Sequence, residues 1–207
     1  MDYKQPDPER PQPESTVNSK PEAENTWVET IKTIVLSAFL AFGIRSFVAE
    51  ARYIPSGSML PTLKINDRLI IDKISYRFAN PLRGDIVVFN PTAQLEREKF
   101  KDAFIKRVIG LPGDRIEVKG GKVYINNKLL SEKYIDEAPH YNWSSKELTP
   151  DGVVPEGQYL VLGDNRNNSY DSHYWGFVPK DKIVGKAVVR FWPIDRAGGI
   201  DPQPDYQ

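Results

Sequence analysis

The stretch "RIEVKGGKVYI", residues 115–125, carries two short β-rich runs on either side of Gly120-Gly121. Side chains alternate between the two faces of a strand, so Ile116 and Val118 share one face, as do Val123 and Ile125. A glycine pair between such runs reaches positive φ without steric cost and is a hairpin signal. Working outward, the same kind of run recurs: "RLIIDK" (68–73), "DIVVF" (85–89), "FIKRVIG" (104–110), "QYLVLG" (158–163) and "KAVVRFW" (186–192). Many short strands without helical spacing between them predict a mainly β fold, a barrel or a sandwich. Residues 126–157 are polar and turn-rich and read as a small insertion on that core.

The parts outside the β region differ in composition. Residues 1–26 hold five prolines within the first 21 positions and almost nothing apolar, which predicts a disordered tail. Residues 1–30 carry seven Asp/Glu against three Lys/Arg. Next comes "WVETIKTIVLSAFLAFGIRSFV", residues 27–48, with twelve uncharged and mainly apolar residues from Thr33 to Ile44. As a helix it would span roughly 33 Å, about one bilayer core. It reads as a transmembrane anchor, with a buried soluble helix and a cleaved signal peptide as rivals. Ala49-Glu50-Ala51 resembles a small-x-small cleavage site, but the preceding tail is long and acidic where a signal peptide wants a short positive start. Arg45 stands near the end of the segment and Arg52, Lys64 and Arg68 follow it, so charge bias alone does not place the tail on the cytoplasmic side. The expected organisation is tail 1–26, anchor 27–48, β domain 49–193 and a loose tail 194–207.

Composition narrows the chemistry. The 207 residues allow one moderate domain plus attachments, and 28 Lys+Arg balance 28 Asp+Glu, so nothing suggests a nucleic-acid surface. There is no cysteine, which removes disulfides, thiol nucleophiles and cysteine-ligated zinc. His140 and His173 are the only histidines, too few for a histidine metal cluster. The Asp- and Asn-rich segment "GDNRNNSYDSHYWGFVP" (163–179) fails the calcium-loop spacing, since Arg166 falls at a ligand position when counting from Asp164. It reads as a hydrogen-bonded turn.

Directly after the apolar segment stands "YIPSGSMLPTL" (53–63), two serines around a glycine between two prolines. Neither the G-x-S-x-G elbow nor S-x-x-K is present, so a serine nucleophile without a histidine would need a distant lysine. A lysine is a useful base only when burial lowers its pKa from about 10.4 toward 7–8. Lys106 lies in an apolar strand and shares a face with Phe104 and Val108, which makes it the best candidate; an edge-strand lysine that blocks aggregation is the other reading.

Taken together, "YIPSGSMLPTL", "RGDIVVF" (83–89), "FIKRVIGLPGD" (104–114) and "GDNRNNSYDSHYWGFVP" resemble, in order and placement, the type I signal peptidase (leader peptidase) family over roughly residues 27–193. "NNSYDSHYWG" is similar to the cyanobacterial and thylakoidal processing branch. The resemblance implies Ser58 as nucleophile and Lys106 as general base. It implies Ser56, with the Ser58 N–H, as the oxyanion hole, and Ser169 as the hydroxyl that orients Lys106. Arg166 and Asp171 would brace the loop, and Met59 and Leu60 would place apolar surface near the substrate pockets, the membrane or the core. His173 stands where many bacterial relatives have arginine, so a salt bridge to Asp171 is expected to be weakened or pH-dependent.

The family's fold is an extracytoplasmic β-barrel-like Ser-Lys peptidase domain behind a transmembrane helix. Its topology implies a single-pass protein with a cytoplasmic N-terminus and the catalytic domain on the extracytoplasmic or lumenal side of a cell or thylakoid membrane. The implied partners are preproteins bearing signal peptides, cut after small residues, and the lipid bilayer. No cofactor, metal or nucleic acid is expected, and the chain is expected to be a monomer. Two rival functions are a self-cleaving Ser-Lys peptidase of the repressor type and a catalytically inert membrane-anchored β module. The first would need a helical DNA-binding domain that residues 1–26 do not offer, and the second would not need the serines and lysine together.

Overall fold

A computed structural model describes Met1, residues 26–200 and residues 205–206. Most of the expected N-terminal tail, and residues 201–204 and 207 of the C-terminal one, lie outside the described residues.

Helix α1, Thr26–Gly43, is long and apolar enough to cross a membrane, and none of its residues is buried. Several polar side chains near its start are satisfied locally. The Thr30 and Thr33 hydroxyls donate to the carbonyls of Thr26 and Glu29, at 2.6 and 2.9 Å, and Lys32 pairs with Glu29 at 2.7 Å. A widened helical turn, Ile44–Val48, follows it.

The β region is built from strands β1 (Ala49–Tyr53), β2 (Arg68–Asp72), β3 (Ile86–Phe89), β4 (Phe104–Gly110), β5 (Ile116–Lys119), β6 (Lys122–Ile125), β7 (Lys128–Ser131), β8 (Trp143–Ser144), β9 (Gln158–Leu162), β10 (Val178–Pro179), β11 (Ile183–Trp192), β12 (Gly198–Gly199) and β13 (Asp205–Tyr206). Short helices α2 (Ser75–Phe78), α3 (Ala93–Arg97) and α4 (Ser172–Trp175) connect them. The larger sheet is antiparallel with the order β1-β2-β11-β3-β4-β9-β10, and β12 pairs with β11. It is open, ending at β1 on one side and β10 on the other, where the sequence allowed a closed barrel. The second sheet, β13-β7-β6-β5-β8, contains the hairpin around Gly120-Gly121. Residues 116–125 therefore belong with the residues read as an insertion and not with the main sheet.

The continuous apolar run of β3 is explained by burial on both faces. Ile86 and Val88 join a core with Ile54, Met59, Leu63 and Ile71, while Val87 and Phe89 join another with Leu95, Val108, Val161 and Trp175. A third core lies between Ile109, Leu160 and Leu162 of the main sheet and Ile116, Val118 and Val123 of the second. At the passage from β4 to β5, Asp114 accepts from Arg83, from the Leu111 N–H and from Asn126, at 2.7 to 2.9 Å.

Candidate active site

The serine-bearing turn is held by what flanks it. Ile54, Met59 and Leu63 are fully packed, and the Leu63 N–H donates to the Met59 carbonyl at 2.8 Å. These anchors leave Ser56 exposed and Ser58 half-buried between them. Met59 is core. Leu60 is half-buried and lines a shallow depression with Asp164, Asn165 and Arg166, away from the cleft described below.

Lys106 comes from β4, opposite Val87 of β3. Its Nζ donates to Ser58 Oγ at 2.8 Å and to the Ile105 carbonyl at 3.0 Å, and lies 5.8 Å from the Phe104 ring. The side chain is only 4% exposed. Desolvation lowers its pKa to about 8, against the opposing pull of Asp171 and Asp164. So deep a lysine does not guard a sheet edge against solvent. Ser56, Ser58 and Lys106 all line one cleft of about 650 Å³, whose other walls include Phe100, Asn168 and Tyr170.

The segment after β9 locks the serine turn in place. The Asn165 side-chain amide donates to the Gly57 carbonyl at 3.0 Å, and its N–H donates to the Ser58 carbonyl at 3.1 Å. Asp164 holds Arg107 in a bidentate pair, at 2.8 and 2.7 Å, and also accepts from Thr62 at 2.6 Å. Both members of that pair are buried, and Arg107 lies 3.9 Å from the centre of the Tyr134 ring. Because side chains alternate on β4, Lys106 and Arg107 point to opposite faces, one toward the serine and one into this structural pair.

Arg166 forms a buried bidentate pair with Glu132 and donates to the Gly163 carbonyl at 3.1 Å, so its carboxylate partner comes from beyond the loop. Asp171 accepts from the Gly163 N–H at 2.9 Å and caps α4. It also meets His173 Nδ1 at 2.6 Å, so the contact expected to suffer from the replacement of arginine is made; His173 in turn stacks on Tyr141 at 4.5 Å. Ser169 differs from expectation. It sits beside Ser58, but its Oγ is buried without a hydrogen-bond partner, and the bond to Lys106 is not formed.

Sequence reasoning missed Arg107, Asp164, Asn165 and Glu132. Arg107 lies inside the strand that carries Lys106 and shows nothing but its charge, Asp164 and Asn165 lie in the last motif, where Asx density was the only signal, and nothing local marks Glu132. Among the described residues, no group of three or more acidic or histidine side chains converges in a way that could hold a metal ion.

Comparison with known proteins agrees with this arrangement of segments. The family described as signal peptidase, peptidase S26, matches residues 27–192. The probable signal peptidase I-2 of Synechocystis sp. is 63% identical over 175 residues, covering 84% of this chain and 78% of that protein. Signal peptidase I of Leptolyngbya laminosa is 56% identical over 203 residues, covering 97% of each chain. The probable thylakoidal processing peptidase 2 of Arabidopsis thaliana, a chloroplast protein, is 40% identical over 186 residues, covering 85% of this chain and 49% of that one. The chain belongs to the signal peptidase family, peptidase S26. It is an enzyme of the type I signal peptidase class, a serine endopeptidase.

Proposed function

We propose that the enzyme removes signal peptides from exported preproteins with a Ser58–Lys106 dyad, cutting after small residues of the A-x-A type. The 2.8 Å contact between Ser58 Oγ and a buried Lys106 of lowered pKa is the observation that carries this reading. In the neutral amine the direction of that hydrogen bond reverses, and the hydroxyl donates. Ser58 Oγ then attacks the carbonyl carbon before the scissile bond while Lys106 Nζ takes its proton. Negative charge collects on the carbonyl oxygen, where the Ser56 hydroxyl and the Ser58 N–H act as donors. Collapse expels the amine of the mature protein, which receives the proton from Lys106, and leaves an ester on Ser58. Water adds to the ester, its proton passing through Lys106, and the signal peptide departs as a carboxylate with the Ser58 hydroxyl restored.

Ser169, beside Ser58, orients Lys106 once the site closes on substrate, and Arg166 and Asp171 brace the loop that carries it. The substrate lies extended along β4. Pairing of β4 with β9 begins at Arg107, and the preceding residues Phe104 to Lys106 line the cleft, which suits the addition of a peptide strand. Helix α1 is a single membrane anchor with the N-terminus in the cytoplasm, so the cleft works on the extracytoplasmic or lumenal side, where cleavage sites emerge.

The test is the detergent-solubilised full chain mixed with a synthetic A-x-A preprotein, with Ser58→Ala as control. Mass spectrometry should find the two products of a single cut after the second small residue with wild type and none with the variant. Equal cleavage by both would remove Ser58 from the mechanism.

A further inference from the structure

The cleft has an aromatic wall that the proposed chemistry does not use. Phe100, on the arm between α3 and β4, and Tyr170, on the loop after β9, have ring centres 5.9 Å apart, and both line the cleft that holds Ser58 and Lys106. Neither is core: Phe100 is 41% exposed and Tyr170 is 38% exposed. Both are nevertheless held. The Phe100 N–H donates to the Leu95 carbonyl at 3.0 Å, Leu95 is fully buried, and the Phe100 ring meets Phe104 edge-on at 5.4 Å. On the neighbouring loop, the Tyr170 hydroxyl donates to Glu98 Oε2 at 2.6 Å, and Tyr174 packs against its ring at 5.3 Å. Glu98 itself accepts from Gln94 at 2.7 Å. One hydrogen bond thus ties the two segments of that wall together. The Glu98 partner pushes the Tyr170 phenol up to about 12.

A solvent-facing apolar surface that is fixed beforehand binds an apolar group without ordering cost at the moment of binding. With its hydroxyl committed to Glu98, Tyr170 offers the substrate its ring and not its polar tip. We propose that Tyr170 and Phe100 form an additional substrate subsite that takes one large apolar side chain of the extended substrate, at a position other than the small residues next to the cut. Tyr170 is then a specificity-determining residue, and Glu98 positions it. This rests on the reading of the same cleft as the peptide-binding site.

The experiment uses the full chain in detergent and a reference A-x-A peptide whose remaining positions near the cut are alanine or serine. Leucine is placed at each of those positions in turn, and kcat/KM is compared with that of the reference peptide. One position should show a gain of about tenfold, the usual worth of one well-seated apolar side chain. In Tyr170→Ala the ratio at that position should fall to near one. Tyr170→Phe and Glu98→Ala keep the ring but cut the tie, and should retain only part of the ratio. Should Tyr170→Ala not fold, these two variants decide. A wild type with no preferred position, or a preference that survives in Tyr170→Ala, would overturn the subsite while the cleavage reading stands. Full preference in Tyr170→Phe and Glu98→Ala would remove the tie. Failure of the wild type to cut the reference peptide would sink the cleavage reading and the subsite together.

Discussion

Gly163 and Ser169 face each other so closely that a Cβ on Gly163 would lie 2.2 Å from the Ser169 hydroxyl and 2.5 Å from the Ser58 carbonyl. The requirement is one of space alone, since the backbone of Gly163 is not left-handed. A methyl group there must displace Ser169, the serine turn, or both. Misplacement of about 1 Å at a reacting centre costs on the order of 10²-fold in rate. Gly163→Ala should therefore lose at least about 10² in kcat while keeping a wild-type circular dichroism spectrum. Undiminished turnover would show that the Ser58–Ser169 packing plays no part in catalysis.

If Lys106 works as a neutral amine, activity follows its deprotonation. Because burial lowers its pKa to about 8, kcat/KM should climb through that value and level off above it. Lys106→Arg should be inactive, since guanidinium keeps its proton throughout this range. A flat profile between pH 6 and pH 10 argues for a different base.

The same lowering carries a stability cost of opposite pH sense. Below pH 8 the folded enzyme buries an ammonium, and the unfolded chain does not. That penalty is fully present below the folded pKa, shrinks as pH rises from about 8, and is gone above the ordinary lysine value of 10.5. Lys106→Met should thus stabilise the protein by up to about 3 kcal/mol at pH 7, with the gain smaller at pH 9.5. Urea unfolding in detergent at the two pH values gives the comparison; a gain that grows with pH contradicts the sign.

Breaking the buried Arg107–Asp164 pair leaves an uncompensated charge. Asp164→Ala should destabilise by about 3–5 kcal/mol. The exposed Lys119–Glu117 pair is the control, with side chains 51% and 41% exposed; Glu117→Ala should cost less than about 1 kcal/mol. Equal midpoint shifts in the two variants would mean that burial does not set the difference.

Ser56 is exposed in the free enzyme and lines the cleft beside Ser58, as suits a hydroxyl kept for the oxyanion. Ser56→Ala should lower kcat by about 10²–10³ with little change in KM. Ser56→Thr should recover much of that loss. A raised KM at constant kcat would make Ser56 a substrate-binding group instead.

What could be read in advance divides along physical lines. Strands such as Phe104–Gly110 and Lys122–Ile125 stood out because apolar and β-branched residues fill them. Strand β1, Ala49–Tyr53, is "AEARY"; its two alanines and two charges carry no strand signature, and pairing with β2 alone makes it a strand. Lys106 was visible because a lysine inside an apolar run is locally odd. Arg107 beside it looked like one more charge, since Asp164 is 57 residues away and buried pairing is a tertiary event. Glu132 reaches Arg166 across 34 residues, for the same reason without a local mark. The roles of Ser56 and Ser169 were suggested by family resemblance and not by any property of a serine in a turn.

Strand β11, the longest among the described residues, lies between β2 and β3, although its residues 183–192 come more than ninety positions after Phe89. The order of synthesis and the order of the sheet therefore disagree. Until β11 emerges, β2 and β3 each present an unpaired edge, and the main sheet exists only as two halves. Closing it requires a contact between distant parts of the chain, which makes the last step slow and entropically costly. Through that interval a growing chain carries bare strand edges, which pair with one another. The domain should then become protease-resistant in a single late step, when its tenth to last sheet-forming segments have all arrived, and not strand by strand.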